Sequence, residues 1–193
     1  MTISIIGVDP GGTTGVALLQ MRPGPDGRPR YCCPAALQIK GTGAGSEDVI
    51  ERIQAEFETL FRNANRAGNH LFFAVEAFMV GHRAGRSSTP QAGRLARKLI
   101  GQVHTLAYSL DARVWERSAS QVKLWATDGR LRAAGGAAAY LPSEPGQVEG
   151  LLPSVYDATK LPGGHARDAA RHALFGAVAD LRRPDPLSRA YSA

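Results

Sequence analysis

The spacing of apolar residues along the chain predicts five strands. Short segments at Ile3–Val8 and Leu71–Val75 are almost wholly apolar, which is typical of strands buried on both faces of a sheet. Looser apolar patterns predict further strands at 14–19, 31–40 and 112–115. Only turns separate the three strands at 3–8, 14–19 and 31–40, so the sheet is expected to begin as a three-strand meander.

Ser46 predicts a helix N-cap, and the apolar residues after it recur at helical spacing as far as Phe61. Pro90 predicts the start of a longer helix that ends near Leu110, because proline suits the first helical position. Three more helices are predicted at 120–126, 131–140 and 164–181. The order of elements predicts an α/β fold, in which a five-stranded mixed sheet carries helices on both faces.

The length of 193 residues fits one domain, which we place at residues 1–183 with a C-terminal tail at 184–193. No apolar run approaches the ~18 residues needed to cross a bilayer. The first nine residues lack the basic segment of a signal peptide, so a cytoplasmic protein with no membrane partner is expected. The adjacent Cys32 and Cys33 are interpreted as strand residues, one on each face.

The net charge of +6 is concentrated in one part of the chain. Residues 83–132 hold 10 Lys+Arg against 3 Asp+Glu, a net +7, whereas residues 1–82 hold 7 against 8 and residues 133–193 hold 6 against 6. A localised basic surface attracts a polyanion and releases its counterions on binding. We therefore expect a nucleic-acid partner, and the alternative is a solvated basic face.

Two acidic residues end the two most apolar strands. Asp9 follows Val8, and Glu76 follows Val75. Functional sites of open α/β sheets gather at strand ends, and a charge at the end of a buried strand is costly unless it is exposed or paired. Taken singly, Asp9 could form a turn with Gly11, and Glu76 could be a solvated strand end.

His165 and Asp168 are three residues apart, so they share one face of the last predicted helix. Alanines at positions 166, 169, 170 and 173 would let this helix lie close to the sheet, although a polar helix start is the simpler interpretation. On the sheet, three carboxylates and a histidine would converge, and such carboxylates repel one another unless a cation lies between them. Oxygen ligands suit Mg²⁺ or Mn²⁺, and two such ions can hydrolyse a phosphodiester.

At these residues the sequence resembles the RuvC family of Holliday junction resolvases, and particularly the RuvC-like resolvases of bacteriophages. The matching motifs, in family order, are Gly7-Val8-Asp9-Pro10-Gly11 with Thr14-Gly15, Val75-Glu76 with Phe78, Ala119-Ser120-Gln121-Val122-Lys123, and His165-Ala166-Arg167-Asp168-Ala169. The resemblance implies an RNase H-like fold, a homodimer, and metal ligands at Asp9, Glu76, His165 and Asp168. It also implies paired nicking of four-way DNA junctions with Mg²⁺ or Mn²⁺, two ions per active site, in the cytoplasm of a bacterial host if the protein is phage-encoded.

Six residues are candidates for DNA contact, partly from the resemblance and partly from their position. The family places an aromatic residue three positions after the second acid, whereas Phe78 lies two positions after it. Lys123 ends a matching motif, and arginines stand where the family has a second lysine or in the basic loop at 81–88. For each candidate the alternative is an ordinary core or surface residue. The candidates are Phe78, Arg83, Arg86, Lys123, Arg130 and Arg132.

The sequence therefore predicts a metal-dependent endodeoxyribonuclease that resolves four-way or other branched DNA junctions. One alternative is an RNase H-like nuclease with a looser choice of substrate, such as a flap, a Y-junction or an RNA–DNA hybrid. Another is a non-catalytic binder of DNA structures, against which the four ligand-type residues count. A sugar-kinase-like ATP site would need two lobes, for which 193 residues are too few.

Overall fold

The computed structural model describes residues 2–24, 29–40, 47–64, 70–78, 90–127, 130 and 164–188. Its strands are β1 Ile3–Asp9, β2 Thr13–Pro23, β3 Pro29–Lys40, β4 His70–Glu76 and β5 Arg113–Arg117. Its helices are α1 Glu47–Glu56, α2 Glu58–Arg62, α3 Pro90–Ser109, α4 Ala119–Trp125 and α5 Gly164–Phe175, which continues into a π-helical turn at Gly176–Asp180. None of the helices in these ranges is long and apolar enough to cross a membrane.

The five strands form one mixed sheet in the order β3-β2-β1-β4-β5. β1 pairs antiparallel with β2, which pairs antiparallel with β3, so the predicted meander is confirmed. On its other side β1 pairs parallel with β4, and β4 pairs parallel with β5. β1 is thus the central strand, and all seven of its residues are buried.

Helix α5 covers one face of the sheet at very short range. Its buried apolar residues are alanines and one leucine, which pack in one core with Ile5, Leu19 and Ala74. A Cβ atom added at Gly7 would overlap the carbonyl oxygen of Ala169. Gly7 therefore allows the helix backbone to rest directly on the central strand, as the run of alanines led us to expect.

Helices α1 and α3 cover the opposite face with larger side chains. Ile53 of α1 and Leu99 of α3 pack against Ile6, Val8 and Phe73 of the sheet. All five of these residues are at most 1% exposed. Helices therefore lie on both faces, as predicted, and each face has its own apolar core.

Several element boundaries differ from those predicted. The single helix expected after Ser46 is divided at Phe57, which is buried and has a non-helical backbone (φ −109°, ψ 19°). The exposed turn expected at 21–30 is shorter, because the ladder extends until Pro23 pairs with Pro29. Prolines are tolerated there because the ladder ends at that point. The helix predicted at 131–140 lies outside the described residues.

The C-terminal segment contacts β3, α5 and Arg130. The Tyr31 hydroxyl donates a hydrogen bond of 2.8 Å to the carbonyl oxygen of Pro184. Asp185 forms an ion pair of 2.9 Å with Arg130, and Leu187 is buried in the core under α5. The packing of the described chain therefore continues to Leu187. Its anchors are contacts distant in sequence, which local patterning does not reveal.

Candidate active site

Asp9 and Glu76 lie side by side at one end of the sheet. Val8 pairs with Val75 in the parallel ladder of β1 and β4, and each acid is the next residue of its strand. Neighbouring strands are about 4.8 Å apart, so the two carboxylates start from adjacent positions. Asp9 is 7% exposed, and the Glu76 side chain is 24% exposed. The structure thus brings together the two strand-end acids that the sequence singled out.

Helix α5 delivers His165 to the same end of the sheet. A Cβ atom at Gly15 would overlap the carbonyl oxygen of His165, so this glycine permits the helix to start directly above β2. His165 Nδ1 lies 2.7 Å from Asp9 Oδ2, and its backbone N–H donates to Gln38 Oε1 at 3.2 Å. Its ring is half exposed, so it can meet both the buried acid and an incoming ligand.

Asp168 lies one turn further along α5 and forms ion pairs with two basic side chains. Lys123 Nζ is 3.0 Å from Asp168 Oδ2, and Arg171 Nη1 donates to Asp168 Oδ1 at 3.0 Å. The Arg171 side chain is buried, whereas that of Lys123 is half exposed. Arg171 is therefore a fixed partner of Asp168, and Lys123 is the partner that solvent or substrate can reach.

The electrostatics of the cluster reflect crowded negative charge. Burial and the nearby Glu76 raise the pKa of Asp9 to about 6, and Asp168 adds to the rise although the hydrogen bond from His165 opposes it. Burial lowers the pKa of Lys123, but its hydrogen bond and attraction to Asp168, with the fields of Glu76 and Asp9, raise it above its ordinary value. The cluster therefore favours additional positive charge.

The residue types fit a hard divalent cation, because three carboxylates and one imidazole supply the donors that Mg²⁺ and Mn²⁺ accept. Within the described ranges, however, no three histidine, cysteine, aspartate or glutamate side chains form a ready-made metal site. Lys123 and Arg171 each contact one oxygen of Asp168, and His165 contacts one oxygen of Asp9. A cation held by Asp168 would therefore have to displace Lys123, the more exposed of its two partners.

Two residues of the site were missed by the sequence interpretation. Arg171 and His172 follow Asp168 at helical positions i+3 and i+4, and both side chains are buried. His172 Nε2 lies 3.3 Å from Glu76 Oε2. Their spacing from Asp168 was a usable signal, because residues three and four apart share a helix face.

Arg117 borders the cluster from β5. It is the ladder partner of Glu76, and its guanidinium forms an ion pair with Asp180 in the π-helical turn. Burial raises the pKa of Asp180 although Arg117 acts to lower it. The π-helical turn therefore anchors the end of α5 to β5.

The predicted DNA contacts have different surroundings. Lys123 belongs to the acidic cluster itself. Phe78 packs against Gly93 of α3, with the Arg97 guanidinium 5.7 Å from its ring centroid. Arg130 donates to the backbone oxygen of Trp125 at 2.7 Å and pairs with Asp185, which gives it a structural task. The remaining three lie outside the described residues: Arg83, Arg86 and Arg132.

Comparisons with known proteins give matches among solved structures alone. No protein-family model matches the chain, and no curated protein matches it in sequence. The structure is similar to that of Thermus thermophilus RuvC, with a TM-score of 0.54 and 18% identity over 94% of this chain and 97% of that chain. It is also similar to T. thermophilus RuvC in complex with a Holliday junction substrate, with a TM-score of 0.53 and 16% identity over 94% and 96%. The chain therefore has the RuvC-like version of the RNase H-like fold, as the motifs predicted.

Proposed function

We propose that this protein is a metal-dependent endodeoxyribonuclease that hydrolyses phosphodiesters of branched DNA, with the four-way junction as its preferred substrate. The observation that carries the proposal is the meeting of Asp9, Glu76, His165 and Asp168 at one end of a RuvC-like sheet. Three separate segments, β1, β4 and α5, supply these side chains, and a purely structural role would leave the crowding of three carboxylates unexplained.

Mg²⁺ or Mn²⁺ is the proposed cofactor, with two ions per active site. Asp9, Glu76 and Asp168 would supply oxygen ligands, and His165 a nitrogen ligand. When bound, such ions activate a water molecule and stabilise the leaving oxygen of a phosphodiester. The raised pKa of Asp9 supports this assignment, since a buried carboxylate beside two others is stabilised by a cation more than by solvent.

The chain's own residues hold the reacting groups in place. His165 orients Asp9 through its Nδ1, and Arg171 fixes one oxygen of Asp168. Lys123 is half exposed, so it can exchange its contact with Asp168 for a phosphate oxygen of the substrate. This exchange would free the second oxygen of Asp168 at the moment when DNA arrives.

A DNA substrate is supported by charge beside the acidic cluster. Arg94 and Arg97 are exposed near the start of α3, and Gly93 of the same turn packs on Phe78, two residues past Glu76. Guanidinium groups there can contact phosphates without reading sequence. One of the similar structures is RuvC bound to a Holliday junction substrate, and we extend that substrate class to this chain.

The test is a cleavage assay on a synthetic four-way junction with each strand end-labelled in turn, in Mg²⁺ and in Mn²⁺. We expect paired nicks on opposing strands, and three-way, flap and RNA–DNA hybrid substrates at equal salt measure the selectivity. Paired nicks imply two active sites, so the protein is expected to be a homodimer by light scattering. Failure to cut any of these substrates with either metal would refute the nuclease proposal. A bacteriophage origin, with action inside the bacterial host, belongs to the proposal and is supported by the motifs.

A further inference from the structure

His172 is an unusual residue for its surroundings. It is 3% exposed and lies in the part of α5 where its neighbours are Ala169, Ala173 and Leu174, each fully buried. Burying a polar group is unfavourable unless it finds a partner. Its Nε2 makes no hydrogen bond within the described part of the chain, although Glu76 Oε2 lies 3.3 Å away. A buried imidazole aimed at an acid of the site therefore needs an explanation other than packing.

Glu76 is the acid of the cluster that most needs a partner. Asp9 is contacted by His165, and Asp168 by Lys123 and Arg171. Glu76 has the longer side chain, with more rotamers to restrict, and the polar side-chain contact recorded for it in the described residues is His172. Carboxylates that bind metals are usually hydrogen-bonded by a neighbour that sets their direction.

We propose that His172 is a positioning residue for Glu76. The Nε2–H of its ring donates to Glu76 Oε2 and thereby directs the other carboxylate oxygen toward a divalent cation. A small rotation closes the present 3.3 Å contact to a hydrogen bond, and this tightening accompanies the rearrangement that cation binding requires. The inference rests on the proposed function, because it assigns Glu76 to a metal site.

The architecture of α5 supports this role. His165 and His172 are seven residues apart, which is two helical turns, so they project from one side of the helix. His165 contacts the acid of β1, and His172 contacts the acid of β4. The close packing that Gly7 permits sets the height of both rings above the sheet. One rigid helix thus holds both strand-end acids.

The experiment measures Mn²⁺ binding to the full chain without DNA, by the electron paramagnetic resonance signal of free Mn²⁺. Three variants are compared: His172→Gln, which places an amide N–H at the distance of Nε2, His172→Asn, whose amide is one bond too short, and His172→Leu. We expect His172→Gln to bind within about threefold of wild type, and the other two to bind at least roughly tenfold more weakly. Leu174→Ala, which loses buried volume in the same helix, is the control for stability and should bind as wild type does.

Thermal unfolding of each variant separates positioning from packing. If Mn²⁺ affinity follows the unfolding temperature across all variants, or if the asparagine and leucine variants bind as wild type does, the role of His172 is refuted. If His172→Leu does not fold, the glutamine and asparagine pair still decides. If wild-type protein binds no Mn²⁺, the metal-dependent function itself fails, which is a different outcome. Junction cleavage provides a second readout for the variants. In His172→Asn and His172→Leu, the Mn²⁺ concentration that gives half the maximal rate is expected to rise by a larger factor than the maximal rate falls.

Discussion

The sheet face covered by α5 and the face covered by α1 and α3 are built from different residues. Under α5 the closest contacts are made by glycine and alanine, with larger apolar residues such as Leu19 around them. The buried acidic and basic side chains of the described ranges, Asp9, Arg171 and His172, lie on this side of the sheet. Under α1 and α3 the contacts are made by isoleucine, valine, phenylalanine and leucine. The first layer thus combines backbone contacts with buried charges, whereas the second is wholly apolar.

The difference indicates that one layer positions the candidate active site and that the other stabilises the fold. Large aliphatic side chains give burial and tolerate small shifts of a helix, because they can repack. Backbone-to-backbone contact at Gly7 and Gly15 tolerates no shift, so it fixes the positions of His165 and Asp168. Changes at the close contacts of α5 with Gly7 and Gly15 should therefore affect chemistry, and changes in the α1/α3 layer should affect stability.

The largest expected effect comes from Asp9→Asn. The substitution keeps the shape but removes the charge on which the proposed metal site depends, so junction cleavage in Mg²⁺ should fall by more than about 100-fold. Junction binding, measured by gel shift without divalent metal, should remain. The same exchange at the exposed Asp111 is the matched control and should leave cleavage unchanged. A fully active Asp9→Asn protein would contradict the assignment of the site.

Gly7→Ala and Leu99→Ala compare the two layers directly. The new methyl group at Gly7 would displace α5 and cost about 1–3 kcal/mol of unfolding free energy. The cavity left by Leu99→Ala would cost about 2–5 kcal/mol. Because misplacing reacting groups by about 1 Å can cost up to 100-fold in rate, Gly7→Ala should lose at least tenfold in cleavage rate per folded molecule.

Leu99→Ala, in contrast, should keep nearly the wild-type rate at temperatures where it is folded. Urea unfolding measures the two stability losses, and single-turnover cleavage measures the rates. Equal rate losses in the two variants would show that the two layers do not divide the tasks as described.

The pH dependence of the unfolding free energy, measured without divalent metal, tests how much the charge of Asp9 destabilises the fold. Asp9 has a folded pKa of about 6 against an ordinary 3.8, so the folded state takes up a proton more readily than the unfolded state. Stability should therefore fall as pH rises from about 4 to about 6, and stay low above that range. The Asp9→Asn protein should be more stable than wild type at pH 8, by about 2–3 kcal/mol. The difference should vanish near pH 4.

The smallest expected effect is that of Tyr31→Phe. Tyr31 lies in the same layer as α5, but its hydroxyl contacts Pro184 rather than the acidic cluster. Loss of this hydrogen bond should cost about 1 kcal/mol of unfolding free energy. Cleavage should be unchanged, and a lower rate would mean that the whole layer, rather than its end at Asp9, controls the chemistry.

Part of this arrangement could be predicted from sequence because it is local. Buried strands that end in Asp9 and Glu76 are visible as apolar segments followed by an acid, and the parallel pairing of β1 with β4 then makes the acids neighbours. The alanines of α5 predicted its close packing. These features depend on residues that are adjacent or one helical turn apart.

The rest depends on contacts between distant segments. Nothing near Arg130 indicates that it pairs with Asp185, and nothing near Tyr31 indicates that Pro184 lies beside it. Phe57, where the helix is divided, is buried in the core beside Phe61, and the apolar spacing alone does not reveal this division. The sequence around His172 does not distinguish it from other helix residues, because its contact with Glu76 depends on the tertiary fold. Burial, rather than pattern, distinguishes such positions.

The unfavourable charge of Asp9 has a consequence for anyone who would improve or evolve this protein. A neutral residue at position 9 relieves the repulsion among the acids, so a library selected for heat resistance alone should accumulate such replacements and lose cleavage. Selection would have to couple survival to DNA processing in order to retain the aspartate. The frequency of Asp at this position in the two kinds of selection would measure how far endurance and activity oppose each other in this molecule.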